Sequence, residues 1–369
     1  MNILHVTFDT TGYGITTFLL NLIKYQNLQS CYEAVHLALH KKDQEVDEFK
    51  GSNIIIHCAD SKTARNLKIV SKFYKLFKDY DVINFHTHSP WAFLAAILAK
   101  KKIVYIFHGA IGLKGNWVDI FIKLFHRLII LNFSDKITFA SKSSLKRYSE
   151  TIGKEVKIGK IEIFPYGLAV NKIKSKKGRA VVRNELEVDN KFVIGTVARL
   201  DPMKRIDRLI EAFALLPDKP NLELLIIGSG GITEENYLKG LVTNYGIENY
   251  VRFMGYRSDA IDLINSFDLF VLPSRNEPFG LALLEAMALG IPSVVFEDGG
   301  GAVDILGESG IIVKNTRELR DIIINTKDNY ALMRRISKQV EKRASVFDIK
   351  YVAEKFKTIY ASLYPDKIN

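Results

Sequence analysis

Two carboxylates, Glu277 and Glu285, stand eight positions apart in the stretch Pro273-Ser-Arg-Asn-Glu-Pro-Phe-Gly-Leu-Ala-Leu-Leu-Glu-Ala-Met-Ala-Leu-Gly-Ile-Pro292. Ionised carboxylates accept hydrogen bonds, so such a pair suits a ligand rich in hydroxyl groups. Pro278 fits the first position of a helix, where no backbone N–H is needed, and Leu281, Leu284, Ala288 and Leu289 recur as one buried helical face would. This spacing places Glu277 at the helix mouth and Glu285 about two turns down. Eight helical residues rise about 12 Å, the reach from a hexose hydroxyl across a diphosphate to a ribose. A nucleotide sugar is the expected ligand.

A cationic pair accompanies the carboxylates. Arg199 and Lys204, in Gly195-Thr-Val-Ala-Arg-Leu-Asp-Pro-Met-Lys-Arg205, follow an apolar strand. Ligands of open α/β sheets bind at that strand edge, where both cations can meet an anion. Arg with Lys can stabilise a departing diphosphate without a metal ion. Earlier in the chain, Asp9-Thr-Thr-Gly12-Tyr-Gly14-Ile-Thr-Thr17 is a glycine loop opening a helix, where backbone N–H groups can meet a phosphate. A nicotinamide site would want a third glycine and an acidic residue after the second strand; position 17 is Thr and that strand ends at Leu39-His40. Two histidines follow apolar strands, His88 in Phe85-His-Thr-His-Ser-Pro-Trp91 and His108 in Tyr105-Ile-Phe-His-Gly109. His86 and His88 lack a third ligand at metal-binding spacing, and Asp79-Tyr-Asp81, before a buried strand, reads as a turn.

The elements that must position these residues alternate. Strands are expected at 2–8, 34–39, 53–57, 82–85 and 103–107, with helices at 16–25, 64–77 and 92–99; the second half repeats the scheme with strands at 192–198, 222–227, 251–253, 269–272 and 293–296. Its helices fall at 206–215, 235–244 and 260–265, before the carboxylate helix. Strand and helix in alternation imply parallel, doubly wound sheets, so the fold class is α/β with two Rossmann-like units. Residues 1–170 form the expected first domain, 171–190 a Lys-, Ser- and Gly-rich linker, 191–347 the second domain, and 348–369 a C-terminal amphipathic helix with Val352, Phe356, Ile359, Tyr360 and Leu363 near one face.

Bulk properties narrow the class. A chain of 369 residues with 47% apolar content suits two cores rather than one. Cys31 and Cys58 are too few for a disulfide scaffold, no signal peptide or membrane span is visible, and a reduced cytoplasmic protein is expected. The net charge of +11 is lopsided: residues 1–170 hold 23 Lys and Arg against 14 Asp and Glu, the remainder 29 against 27. A basic first half suits an anionic partner. Basic and aromatic residues mix in 68–78 and 117–130, as in helices lying on an anionic membrane face, which places the protein at the inner face of the membrane. No nucleic-acid module is visible, so nucleic acid is not an expected partner.

The chain resembles the large family of retaining glycosyltransferases of the GT-B fold, glycosyltransferase family 4-like or "glycosyl transferases group 1", whose motif is a Glu, seven residues and a second Glu within Pro-Ser-x-x-Glu-Pro-Phe-Gly-Leu. The resemblance implies two Rossmann-like domains facing a central crevice, and a bacterial surface-polysaccharide enzyme that needs no cofactor and no metal. It implies that Glu277 contacts donor-sugar hydroxyls, that Glu285 accepts from the ribose, and that Arg199 and Lys204 steady the diphosphate. His108 is the first choice for the histidine beside the donor sugar and His88 the second. Gly12 and Gly14 would lie beside the diphosphate and acceptor, Gly228, Gly230 and Met254 around the base, and Phe279, Gly280 and Leu281 along the donor. Gly300 helps enclose the diphosphate, although Ala302-Val303-Asp304 shifts the usual acidic residue by one place. UDP is favoured over GDP by frequency in the family, and the implied acceptor is a lipid-linked or surface glycan. An epimerase or phosphorylase on the same scaffold, and a non-catalytic nucleotide-sugar or lipid-binding module, remain the alternatives.

Overall fold

In the computed structural model residues 1–7, 13–39, 54–58, 68–109 and 117–367 are described. They form two units, 1–168 with 349–369, and 169–348.

The first unit is built on seven parallel strands: β1 (Asn2–Thr7), β2 (Ala34–Leu39), β3 (Ile56–Cys58), β4 (Val82–Phe85), β5 (Lys102–Phe107), β6 (Lys136–Phe139) and β7 (Ile161–Ile163), ordered β3-β2-β1-β4-β5-β6-β7. Period-two alternation sorts the side chains onto two faces. Leu4, Val6, Ile83, Phe85, Ile103, Tyr105, Phe107, Ile137 and Phe139 enter one apolar core with Phe73 and Phe77 of helix Lys68–Phe77, Phe93 of Pro90–Leu98 and Tyr148 of Lys142–Ile152. His5 and Asn84, paired in register, point the other way. That second face is covered by helix Tyr13–Gln26 and by the C-terminal helix Ile349–Leu363, which pack on each other. Tyr360 ties the latter to the sheet, Asn84 Nδ2 donating to its hydroxyl at 2.8 Å, and at the start of the same helix Ile349 N donates to Leu168 O at 2.8 Å. The expected helix over 117–130 is an α-helix from Trp117 to Leu124 that continues as π-helix from Phe125 to Ile130.

The second unit has six parallel strands: β8 (Phe192–Val197), β9 (Leu222–Ile227), β10 (Val251–Gly255), β11 (Leu269–Leu272), β12 (Ser293–Phe296) and β13 (Ile311–Val313), ordered β10-β9-β8-β11-β12-β13. β8 is central, and the direction of winding reverses between β8 and β11. Loops leaving those two strands diverge, which opens the crevice where doubly wound sheets take ligands.

Residues 171–190, expected as a linker, are folded into this unit instead. They contain helix Arg179–Glu185, whose Arg179 and Arg183 bind the Asp268 carboxylate at 2.6 and 3.0 Å, while Val193 N donates to the same carboxylate at 2.8 Å. The segment is fastened by these ion pairs and by only a few buried apolar side chains, Val182, Leu186 and Val188, too few for periodicity to give a sign of it.

Candidate functional site

The site grows from the loop after β8. Asp201 caps the 3₁₀ turn Pro202–Lys204 by accepting from Met203 N at 3.0 Å, and Arg205, at φ 51°, redirects the chain into helix Ile206–Ala214. The turn brings Lys204 inward. Its Nζ lies 2.6 Å from Glu277 Oε2, with side-chain exposures of 23% and 10%, so this ion pair is largely withdrawn from water. Arg199 points the other way, 71% exposed, with Nε donating to Asp201 Oδ2 at 2.8 Å. Asp201 was not singled out from the sequence; an acidic residue two positions after an Arg and just before a Pro is the signal that it both caps and pairs.

An exposed ion pair of this kind contributes about 0–1 kcal/mol. Asp201→Asn, which keeps the cap and removes the charge, is expected to alter stability by less than about 1 kcal/mol in urea unfolding and to leave nucleotide affinity equal or a few-fold tighter, since Arg199 loses its competitor. Weaker nucleotide binding in that variant would argue against a ligand role for Arg199.

The loop after β11 carries Glu277. Here the structure departs from expectation: the helix spans Leu281–Ala288, so Pro278 is not its first residue and Glu277 is not at its mouth. Gly280, at φ 99°, supplies the left-handed turn into the helix, and Asn276 sits at φ 53°. The buried face consists of Leu283, Leu284, Ala286 and Met287, and the eight residues from Glu277 to Glu285 are not one continuous helical rise. Glu277 is held as a bridge residue: its N donates to Gly299 O at 3.1 Å, and Gly301 N donates to its carbonyl at 2.7 Å across a parallel pairing with Gly300. Arg275 N donates to Met203 O at 2.9 Å, which stitches this loop to the Lys204 turn. Arg208 forks onto Asp298 with two contacts of 2.7 Å, and that hydrogen-bonded guanidinium holds the Asp298 carboxyl below its usual range. Three loops, after β8, β11 and β12, are therefore locked together around Lys204 and Glu277.

Gly228 and Gly230 have a packing reason for being glycine. A Cβ at Gly228 would come 1.9 Å from Ala198 O, and one at Gly230 2.0 Å from Leu200 O, because the loops after β8 and β9 run side by side with Leu200 paired to Gly230. Met254 is half-buried at an irregularity in the pairing of β10 with β9. Phe279 is 1% exposed and meets Phe347 edge-on at 6.0 Å, so it anchors the loop in apolar surroundings. Leu281 is half-buried at the start of the helix, and Gly300 has φ 65°. Glu285, in the second turn, is half-buried, and burial pushes its carboxyl up to about 7.

The other residues singled out from the sequence lie in the first unit. Gly12 falls outside the described residues, and Gly14 is exposed in the first turn of helix Tyr13–Gln26. His108 is joined to His86, with Nε2 2.6 Å from His86 Nδ1, and its Nδ1 meets the Tyr166 hydroxyl. His88 belongs to a different set: its Nδ1 lies 2.7 Å from the Tyr105 hydroxyl and 3.0 Å from His126 Nε2. Burial lowers both histidines, His88 to about 4 and His108 to about 3. From the sequence alone His86 entered only as a metal-ligand candidate. Alternation from Asn84 was the available signal, since it puts His86 on the face of His5 rather than in the apolar core.

Two family models match the chain: that described as "Glycosyl transferases group 1" over residues 179–343, and that described as "Glycosyltransferase Family 4" over residues 14–172. The chain belongs to these glycosyltransferases and is an enzyme of that class. It is similar to mannosylfructose-phosphate synthase of Agrobacterium fabrum, 34% identical over 186 residues, covering 47% of this chain and 40% of that one, so it spans less than half of that relative. It is also similar to the UDP-Gal:alpha-D-GlcNAc-diphosphoundecaprenol alpha-1,3-galactosyltransferase of Escherichia coli, 25% identical over 344 residues, 84% of this chain and 83% of that one. Among solved structures, Alr3699/HepE of Anabaena in complex with UDP is similar with a TM-score of 0.84 and 22% identity, covering 98% of this chain and 100% of that one. That likeness carries the GT-B fold of two Rossmann-like parallel sheets.

Proposed function

We propose that the protein transfers a sugar, with retention of anomeric configuration and without a metal ion, from a UDP-sugar to a hydroxyl of a lipid-linked or surface glycan. The observation that carries this reading is the Lys204–Glu277 pair, 2.6 Å long, in the loops after β8 and β11 where the second sheet reverses its winding. Glu277 takes donor-sugar hydroxyls, Lys204 and Arg199 stabilise the diphosphate as it leaves, and Glu285 accepts from the ribose. Gly228, Gly230 and Met254 flank the base, with Gly300 on the diphosphate side. His108 of the first unit serves the sugar, and the first unit takes the acceptor. The acceptor hydroxyl attacks from the face the leaving group departs, and a diphosphate oxygen receives its proton. UDP is favoured because the similar Anabaena structure holds it and the E. coli relative is named for UDP-Gal.

Calorimetry with UDP, GDP and ADP in the presence of EDTA, followed by an acceptor screen with the product's anomeric configuration read by NMR, tests each part. UDP binding that survives EDTA and a product with the donor's configuration support the reading. An inverted product excludes the same-face attack, and loss of turnover in EDTA excludes the metal-free step.

Among the described residues no helix is long and apolar enough to cross a membrane. A surface contact is proposed instead, at the cytoplasmic face. Ile120, Phe121, Leu124, Leu128 and Phe133 are 43–63% exposed along the stretch that begins at Trp117, with Arg127 exposed beside them. Apolar side chains flanked by a cation suit insertion at an anionic lipid surface. Phe121→Asp with Leu128→Asp is expected to lower co-sedimentation with phosphatidylglycerol vesicles about tenfold or more while leaving UDP binding intact. Unchanged co-sedimentation would reject this face.

A further inference from the structure

Three of the chain's eight histidines stand in one line on the helix-covered face of the first sheet. His5 Nε2 lies 3.0 Å from Gln26 Oε1, His5 Nδ1 lies 2.8 Å from His86 Nε2, and His86 Nδ1 lies 2.6 Å from His108 Nε2. His108 Nδ1 then meets the Tyr166 hydroxyl. We propose that His5 and His86 are positioning residues for His108, forming with Gln26 a one-directional relay that keeps the proton of each imidazole on Nε2 and leaves His108 Nδ1 as the acceptor for a hydroxyl group. This rests on the transferase reading above, in which His108 serves a sugar.

The direction follows from counting donors. A neutral imidazole has one N–H and one bare nitrogen, so each ring in a line must donate to one neighbour and accept from the other. The Gln26 amide gives the direction: in the structure its carbonyl oxygen is turned to His5 Nε2 at 3.0 Å and its Nε2 to the Tyr360 hydroxyl at 3.5 Å, and with the amide so placed the His5 proton is on Nε2. His5 Nδ1 must then accept from His86 Nε2, His86 Nδ1 from His108 Nε2, and His108 Nδ1 from the Tyr166 hydroxyl. His5 and His86 are 0% and 7% exposed, and desolvation lowers all three rings, His5 to about 4 and His108 to about 3, so the line stays neutral at working pH.

The consequence is selective. A bare nitrogen welcomes a hydroxyl hydrogen and repels a phosphate or carboxylate oxygen. Tyr166 occupies that place here, and a sugar hydroxyl is the chemically equivalent group that takes it over. Without the relay His108 could turn its proton to Nδ1 and lose this preference.

The test uses the full-length protein labelled with ¹⁵N-histidine. Long-range proton–nitrogen correlation at pH 7 is expected to show the Nε2–H tautomer for His5, His86 and His108. An Nδ1–H tautomer or an imidazolium at any of them overturns the relay, whatever the protein's activity. His86→Leu is expected to lower kcat about 10- to 100-fold, with UDP affinity within threefold of the unsubstituted protein. His86→Gln, whose amide can both accept from His108 and donate to His5, should restore at least a third of the loss on a logarithmic scale. Leu matching or exceeding Gln would show that position 86 only fills space. Should the Leu variant fail to fold, the Gln variant and the tautomers still decide. Tyr166→Phe is expected to keep kcat within about threefold, and a loss above tenfold would overturn the exchange of Tyr166 for sugar. A protein that transfers from no nucleotide sugar would sink the transferase reading while the tautomers still judge the relay.

Discussion

Lys204→Met is expected to lower kcat by about 10²–10³-fold while UDP affinity falls by less, because the cation matters most when the diphosphate gains charge as the glycosidic bond breaks. The Nζ group has three donors, so it can hold Glu277 Oε2 at 2.6 Å and still offer two to a diphosphate. Arg199 differs in kind. It is 71% exposed and, among the described residues, pairs with Asp201, so it can swing to an anion at little cost. Arg199→Ala should therefore weaken nucleotide binding with little loss of stability, whereas Lys204→Met also deprives Glu277 of its counter-ion at 10% exposure and should lower Tm by a few degrees. A double-mutant cycle with Glu277→Gln separates the two roles. If Lys204 acts only through Glu277, the double variant will be no slower than the worse single one. If Lys204 contacts the leaving group itself, the double variant will be slower than either. Steady-state kinetics with saturating acceptor makes the distinction, and an unchanged kcat in Lys204→Met would remove Lys204 from the reaction.

How much of this was legible beforehand depends on what each feature left in the sequence. Long, mostly apolar runs such as Phe192–Val197 and Leu222–Ile227 announced the parallel sheets, because strands covered on both faces are predominantly apolar, the buried Glu223 being paired with Lys191. Lys136–Phe139, Ile161–Ile163 and Ile311–Val313 were not foreseen: strands of three or four residues at or near a sheet edge leave too short a pattern to read. The importance of Glu277 and Lys204 was visible from motif and strand position, but their contact was not, since 73 residues separate them and only the folded loops bring them together. Pro278 misplaced the helix start because proline is tolerated in a turn as well as at a first helical position, and the deciding feature is the backbone of Gly280 at φ 99°. The histidine line was hidden for a related reason. His5, His86 and His108 come from three different strand regions, and only the order β1-β4-β5 makes them neighbours.

Glu285→Gln should make the protein more stable and its nucleotide site weaker, and both effects have a definite pH dependence. Burial raises the Glu285 carboxyl from 4.5 to about 7. Below pH 4.5 the group is protonated in the folded and unfolded chains alike and affects neither. Between 4.5 and 7 the unfolded chain releases the proton that the folded one keeps, so stability falls as pH rises through that window. Above 7 the buried charge costs up to about 3 kcal/mol, since every tenfold weakening of the acid on burial is worth about 1.4 kcal/mol. Gln keeps the size and removes the charge, so its gain in unfolding free energy should appear at pH 8 and vanish at pH 4. Ribose hydroxyls, as donors, favour the ionised carboxylate, so UDP binding to the unsubstituted protein should weaken as pH falls below 7, approaching tenfold for each step of one in pH. In the Gln variant that pH dependence should be gone and affinity at pH 8 should be about tenfold lower or worse, from the loss of charge-assisted hydrogen bonds. Urea unfolding and UDP calorimetry at pH 5, 6, 7 and 8 read both quantities. A variant that is stabilised but binds UDP with the original pH profile would leave Glu285 as a buried carboxyl with no part in the ribose site. One that loses affinity without gaining stability would mean that the carboxyl is already ionised and solvated in the free protein, poised for the ribose at no cost to the fold.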